Sequence, residues 1–167
     1  MSKEIVTTII KKELNKEKYN EIVFLCIGTN GIIGDSVGPK TGSILKEKFK
    51  ESNFAVLGTS SNEINYFTIN KVLEQKIKSL RKPFLITIDS ALSKPEFIGK
   101  IIINKQYLHL GKSLKKEKYI LGNLNIKVII GENFNNIEKN KKVLTEVSAD
   151  FINNMAVKVA YQILNAF

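Results

Sequence analysis

The sequence predicts an α/β fold, a three-layer α/β/α sandwich around a twisted, mostly parallel sheet. Three observations predict it. "EIVFLCIGT" (21–29) and "FLITIDSAL" (84–92) are near-continuous apolar runs, the pattern of strands buried on both faces of a parallel sheet. Helix-period and strand-period segments alternate through the first 92 residues, as βαβ units do. Finally, 167 residues at 43% apolar and 25% charged content suit one soluble globular domain with a sizeable core.

Taken in order, residues 3–14 bring Ile5, Val6, Ile9, Ile10 and Leu14 near one helical face. Residues 1–20 therefore read as an N-terminal helical extension of a single domain spanning 1–167. The 21–29 run ends in a glycine cluster, "GTNGIIGDSVGP". A helix follows from Pro39, a residue suited to a first turn, with Gly38 as its N-cap. "FAVLGT" (54–59) is a second short strand. "EINYFTINKVLEQKIKSL" (63–80) puts Tyr66, Ile69, Leu73, Ile77 and Leu80 on one helical stripe. The 84–92 run is a third strand, reaching its carboxyl end at Asp89. "FIGKIIINK" and "LNIKVIIG" are further strands, joined by the polar loop "GKSLKKEKYILGN". From Leu144 onward, Val147, Phe151, Met155 and Val159 recur every four residues, predicting one long amphipathic helix.

Composition excludes several function classes. No apolar run approaches the roughly 20 residues a membrane span needs. The N-terminus lacks a signal-peptide core and cleavage site, so a cytoplasmic protein is expected. One cysteine, Cys26, rules out an intramolecular disulfide and reads as a small core side chain. The formal charge of +10 rests almost wholly on lysine, with Arg81 the one arginine. The lysines are spread along the chain, and the arginine fork that reads bases and phosphates is missing. A solvated lysine surface is the reading; neither nucleic acid nor membrane is an expected partner.

Two aspartates hold the chemistry. In open α/β sheets, ligands gather outside the carboxyl ends of the strands. Asp35 follows the first strand, and Asp89 stands at the end of the third. If those strands run parallel, adjacent or one apart, both carboxylates emerge on one sheet edge. A close carboxylate pair can share a proton, one group serving as base for a water and the other as acid. It can also hold a divalent cation, usually with a third ligand. The structural alternative for Asp35 is a helix cap, but Gly38 and Pro39 already fill that place. For Asp89 it is a strand-end cap, although a carboxylate directly after "FLITI" needs a buried partner.

Other motifs fail on spacing. "GTNGIIG" is G-x-x-G-x-x-G, not the dinucleotide fingerprint, and the second strand ends at Gly58 where a ribose-binding acid would be needed. "LGKSL" lacks the glycine a phosphate loop requires before Gly111, and Ser36 is in no nucleophile elbow. His109, the one histidine, reads as a structural or surface residue.

"IVFLCIGTNGIIGDSVGPKTGSILKEKF", "KPFLITIDSALSKPEFIGKIII" and "GKSLKKEKYILGNLNIKVIIG" resemble, in order and spacing, the YyaC family of sporulation proteins of endospore-forming Firmicutes. The resemblance covers roughly residues 20–165. That family is similar to the spore germination protease and the hydrogenase maturation proteases, which implies their α/β/α fold with the active site at the strand ends. It implies functional acids at Asp35 and Asp89, an aspartic-type pair in the germination protease and nickel-binding acids, with a histidine, in the maturation proteases. That histidine should lie within "GKSLKKEKYILGN", which has none, so the germination protease is the better comparison.

The expectation is a sporulation-associated peptidase with Asp35 and Asp89 catalytic and no cofactor. Gly28, Thr29, Asn30, Gly31, Gly34 and Ser90 would serve substrate binding and the oxyanion. The partner would be a protein or peptide substrate, such as a spore protein. The alternatives are a non-catalytic sporulation protein that kept the fold and a metal-dependent hydrolase holding a divalent cation between Asp35 and Asp89.

Overall fold

The computed structural model describes residues 5–16, 18–105, 108–110, 118–120 and 122–167. Its centre is a five-stranded sheet built from β1 (Glu21–Cys26), β2 (Ala55–Leu57), β3 (Pro83–Ser93), β4 (Ile101–Asn104) and β7 (Leu124–Glu132). The order is β2-β1-β3-β7-β4, with β1, β2, β3 and β7 parallel and β4 antiparallel on its edge. A separate hairpin pairs β5 (Leu108–Leu110) with β6 (Lys118–Ile120). The expected mostly parallel α/β sandwich is the observed one. His109 lies on β5, and most of the polar segment 111–123 is outside the described residues.

The apolar runs are buried on both faces because alternate residues face opposite layers. Phe24, Cys26, Phe84, Ile86, Ile88, Leu124, Ile126 and Val128 face one core. Helices α1 (Ile5–Leu14), α2 (Val37–Lys48) and α5 (Ala149–Leu164) close that core. Val23, Leu25, Ile27 and Leu85 face a smaller core, covered by α3 (Ile69–Val72) and the π-helical turn Leu73–Ile77 that continues it. The N-terminal helix is part of the first layer. Val6 and Ile10 are fully buried, and the Thr7 hydroxyl donates to the Gln162 carbonyl at 2.7 Å.

Four boundaries differ from the sequence pattern, each for a local reason. Helix α2 starts at Val37 with Ser36 as N-cap residue, so Pro39 sits inside its first turn. Gly38 is required there by close packing: a Cβ would lie 2.0 Å from the Ile27 carbonyl oxygen. The expected 63–80 helix begins only at Ile69, because Asn65 intercepts its start. The Asn65 side chain accepts from the Phe67 and Thr68 N–H groups, a local turn that competes with helix. The long C-terminal helix is two, α4 (Ile137–Glu146) and α5, divided where Val147 turns extended and the Ser148 hydroxyl caps α5. Strand β3 does not end at Asp89; it continues to Ser93, paired with β7 through a bulge between Ala91 and Leu92.

Candidate active site

The strand order reverses between β1 and β3. From β1 the chain first crosses to β2 on one side, then returns to place β3 on the other. Such a switch point opens a crevice beyond the strand ends. β1 pairs with β3 from Glu21↔Pro83 to Cys26↔Ile88 and then stops. Asp89 is the first β3 residue left without that neighbour, so it reaches the crevice because β1 ends, not because β3 does.

Asp35 arrives at the same place from the glycine loop. After β1, the Ile27 N–H still donates to the Ile88 carbonyl at 2.8 Å, and Gly28 then turns the chain at φ 144°. A side chain at Gly28 would be strained at that φ, and its Cβ would lie 1.9 Å from the Asp35 carbonyl oxygen. A 3₁₀ turn, Ile33–Asp35, then precedes α2. Asp35 is not a cap: Ser36 holds the N-cap position, and its hydroxyl turns back to the Ile33 carbonyl at 2.7 Å.

The two carboxyl groups are electrostatically coupled. Burial pushes the Asp35 carboxyl up to about 6; hydrogen bonds from the Thr29 N–H and the Ser90 hydroxyl hold it down, while the Glu63 charge adds to the rise. Burial raises Asp89 further, to about 8, and the Asp35 charge adds to that rise. The Ser90 N–H and the Lys127 ammonium oppose it. Lys127 is in register with Asp89 across β3 and β7, which puts both on one face of the sheet. Environment thus separates two chemically identical groups and places their ionisations on either side of neutrality.

The first half of the glycine loop is held by its own N–H donors. Gly28 N–H donates to Ile64 O at 2.8 Å, and Thr29 N–H to Asp35 O at 3.1 Å. Asn30 N–H donates to Glu63 Oε1 at 2.6 Å, and Gly31 N–H to Thr29 Oγ1 at 3.2 Å. These four donors are engaged within the protein and tie the first half of the loop down beside Asp35. Gly34 packs against α4, where a Cβ would meet the Leu144 carbonyl oxygen at 2.9 Å. Ser90 stands on β3, apart from the loop, and favours the Asp35 carboxylate.

Glu63 is the residue that sequence reasoning missed. Assigned to a helix, it looked like an ordinary surface acid. The only signal for its release was "NEIN" with Thr68 downstream, an Asx-turn pattern buried in an apolar stripe. A cavity of about 330 Å3 opens beside the loop, lined by Asn30, Ile33, Ser36, Lys40, Ser60 and Ala149. Among the described residues no three His, Cys, Asp or Glu side chains converge to hold a metal ion. No described helix is long and apolar enough to cross a membrane.

Comparison with known proteins agrees with this architecture. The crystal structure of the NiFe hydrogenase maturation protease HycI from Thermococcus kodakarensis KOD1 superposes with a TM-score of 0.64. It covers 95% of this chain and 97% of that one at 17% identity, a likeness of fold. The Bacillus subtilis (strain 168) protein described as "Uncharacterized protein YyaC" is 30% identical over 125 residues, 75% of this chain. The chain spans only 60% of that relative's length. A family model described as "Protein of unknown function (DUF1256)" matches residues 1–162, and the chain belongs to that family.

Proposed function

We propose that the protein is a cytoplasmic, sporulation-associated peptidase whose Asp35 and Asp89 activate water for peptide-bond hydrolysis. The observation that carries the reading is the coupled pair at the β1/β3 switch point, with ionisations at about 6 and about 8. The peptidase-like fold and the likeness to the YyaC family support it in context.

Near neutral pH, Asp35 is the ionised member and Asp89 the protonated one. Asp35 takes a proton from water as the oxygen attacks the peptide carbonyl carbon. Asp89 donates its proton to the carbonyl oxygen, giving a neutral gem-diol. Collapse of that diol breaks the C–N bond, with a proton passing to the departing amine and the second aspartate reprotonated. With the N–H groups of Gly28, Thr29, Asn30 and Gly31 engaged, protonated Asp89 takes the role that such free donors play elsewhere. The cavity beside Asn30 and Lys40 has room for a substrate side chain.

The test is incubation of the purified chain with candidate spore proteins, followed by mass spectrometry of the fragments. Asp35→Asn and Asp89→Asn should each abolish cleavage with the fold intact, a loss of at least about 100-fold for each group. Cleavage at the wild-type rate by both variants contradicts the mechanism. Cleavage by none of the three proteins favours the non-catalytic reading.

A further inference from the structure

The loop between β2 and α3 reaches the glycine loop through one side chain. Glu63 is half-buried and its two carboxylate oxygens have separate tasks. Oε2 accepts from the Thr29 hydroxyl at 2.8 Å, and Oε1 accepts from the Asn30 N–H at 2.6 Å. The Thr29 oxygen in turn accepts from the Gly31 N–H at 3.2 Å. Two further bonds join the same segments, Gly28 N–H to Ile64 O and the Asn30 side-chain amide to Ser60 O, each at 2.8 Å. Charge-assisted bonds at both oxygens hold a loop more firmly than a single neutral contact does. The residue so held, Thr29, donates its N–H to the Asp35 main-chain carbonyl at 3.1 Å and helps to hold the Asp35 carboxyl down.

We propose that Glu63 is a positioning residue of the Asp35–Asp89 pair: its carboxylate ties down Thr29 and Asn30 so that the glycine loop keeps the Thr29 N–H against Asp35. The role assigned to the pair rests on the peptidase reading, but the clamp does not. Around Asp35, the other charged or polar groups are Asp89 and the Ser90 hydroxyl from β3, with Lys127 of β7 beyond Asp89. Glu63 acts on Asp35 in two opposed ways: its charge favours the protonated form directly, and the clamp favours the ionised form through Thr29.

Those two effects separate by mutation, read by NMR without any substrate. Glu63→Gln keeps an oxygen for the Asn30 N–H and removes the charge, so the Asp35 midpoint should fall while the Thr29 amide stays protected from exchange. Glu63→Ala removes both. Thr29 exchange should then quicken about 10-fold or more, and the Asp35 midpoint should lie about one pH unit above that of Glu63→Gln. Thr29→Val keeps the Glu63 charge but cuts its hydroxyl link, so the Asp35 midpoint should rise above wild type.

Equal Asp35 midpoints in Glu63→Ala and Glu63→Gln, with unchanged Thr29 protection, would overturn the proposal and leave Glu63 a through-space charge. If Glu63→Ala does not fold, Thr29→Val decides: an unmoved Asp35 refutes the clamp. A failed cleavage assay leaves these titrations standing, and a failed clamp leaves the peptidase reading intact.

Discussion

Asp89 is a carboxyl group that folding makes harder to ionise. Burial and the Asp35 charge raise it to about 8, and Asp35 itself to about 6. Between the unfolded carboxylate range near 4 and these values, the folded protein binds more protons than the unfolded chain. Stability therefore falls as pH rises through that window and levels off above about 8. Asp89→Asn removes the buried ionisation. It should be more stable than wild type at pH 8–9, by about 2 kcal/mol in urea denaturation, with the gap closing toward pH 4. Ser90→Ala tests the neighbouring hydroxyl. Ser90 favours the Asp35 carboxylate, so its loss should raise the Asp35 midpoint and carry the acid limb of any pH–rate profile upward.

At the scale of elements, the apolar strands were legible and their ends were not. β1, β3 and β7 follow from continuous apolar runs, because burial on both faces leaves no other pattern. Asp89 lies past the end of β1 rather than at the end of β3: pairing ends at Cys26↔Ile88, a property of β1 that no reading of β3 alone contains. Glu63 was hidden because the 69–80 stripe extends smoothly upstream through Tyr66, whereas Asn65 breaks the helix by hydrogen bonds, not hydrophobicity. The α4–α5 break was hidden in the same way by the apolar spacing from Leu144 to Val159. The tight seat of α2 on β1 gives a further prediction. Gly38→Ala would press a Cβ to within 2.0 Å of the Ile27 carbonyl oxygen, so it should cost about 3 kcal/mol by chemical denaturation. Gly28→Ala strains the loop instead, and its damage should fall on the Asp35 midpoint more than on global stability.

For the whole molecule, topology does what no single element can. The order β2-β1-β3 makes neighbours of two strands whose paired residues, from Glu21↔Pro83 to Cys26↔Ile88, lie 62 positions apart in the chain, and opens the crevice beyond them. The helical layer of α1, α2 and α5 backs one face of that sheet, so the pair sits at the edge of a rigid core. Of the described lysines, Lys127 is the one that opposes the rise of Asp89, and none acts on Asp35. If peptide hydrolysis is the activity, its pH profile should be bell-shaped, with limbs near 6 and 8 that report Asp35 as base and Asp89 as acid. A profile rising monotonically through pH 9 would contradict that assignment.

The coupling of Asp35 and Asp89 is the central claim, and carbon-detected NMR titration of the aspartate carboxyl groups tests it most directly. In the wild-type chain, one should titrate near 6 and another near 8. In Asp35→Asn, the Asp89 midpoint should fall, because a neighbouring negative charge has gone, yet stay above the ordinary carboxylate range, because burial remains. Two midpoints near 4, or an Asp89 midpoint unmoved by Asp35→Asn, would show that the carboxyl groups do not form a pair.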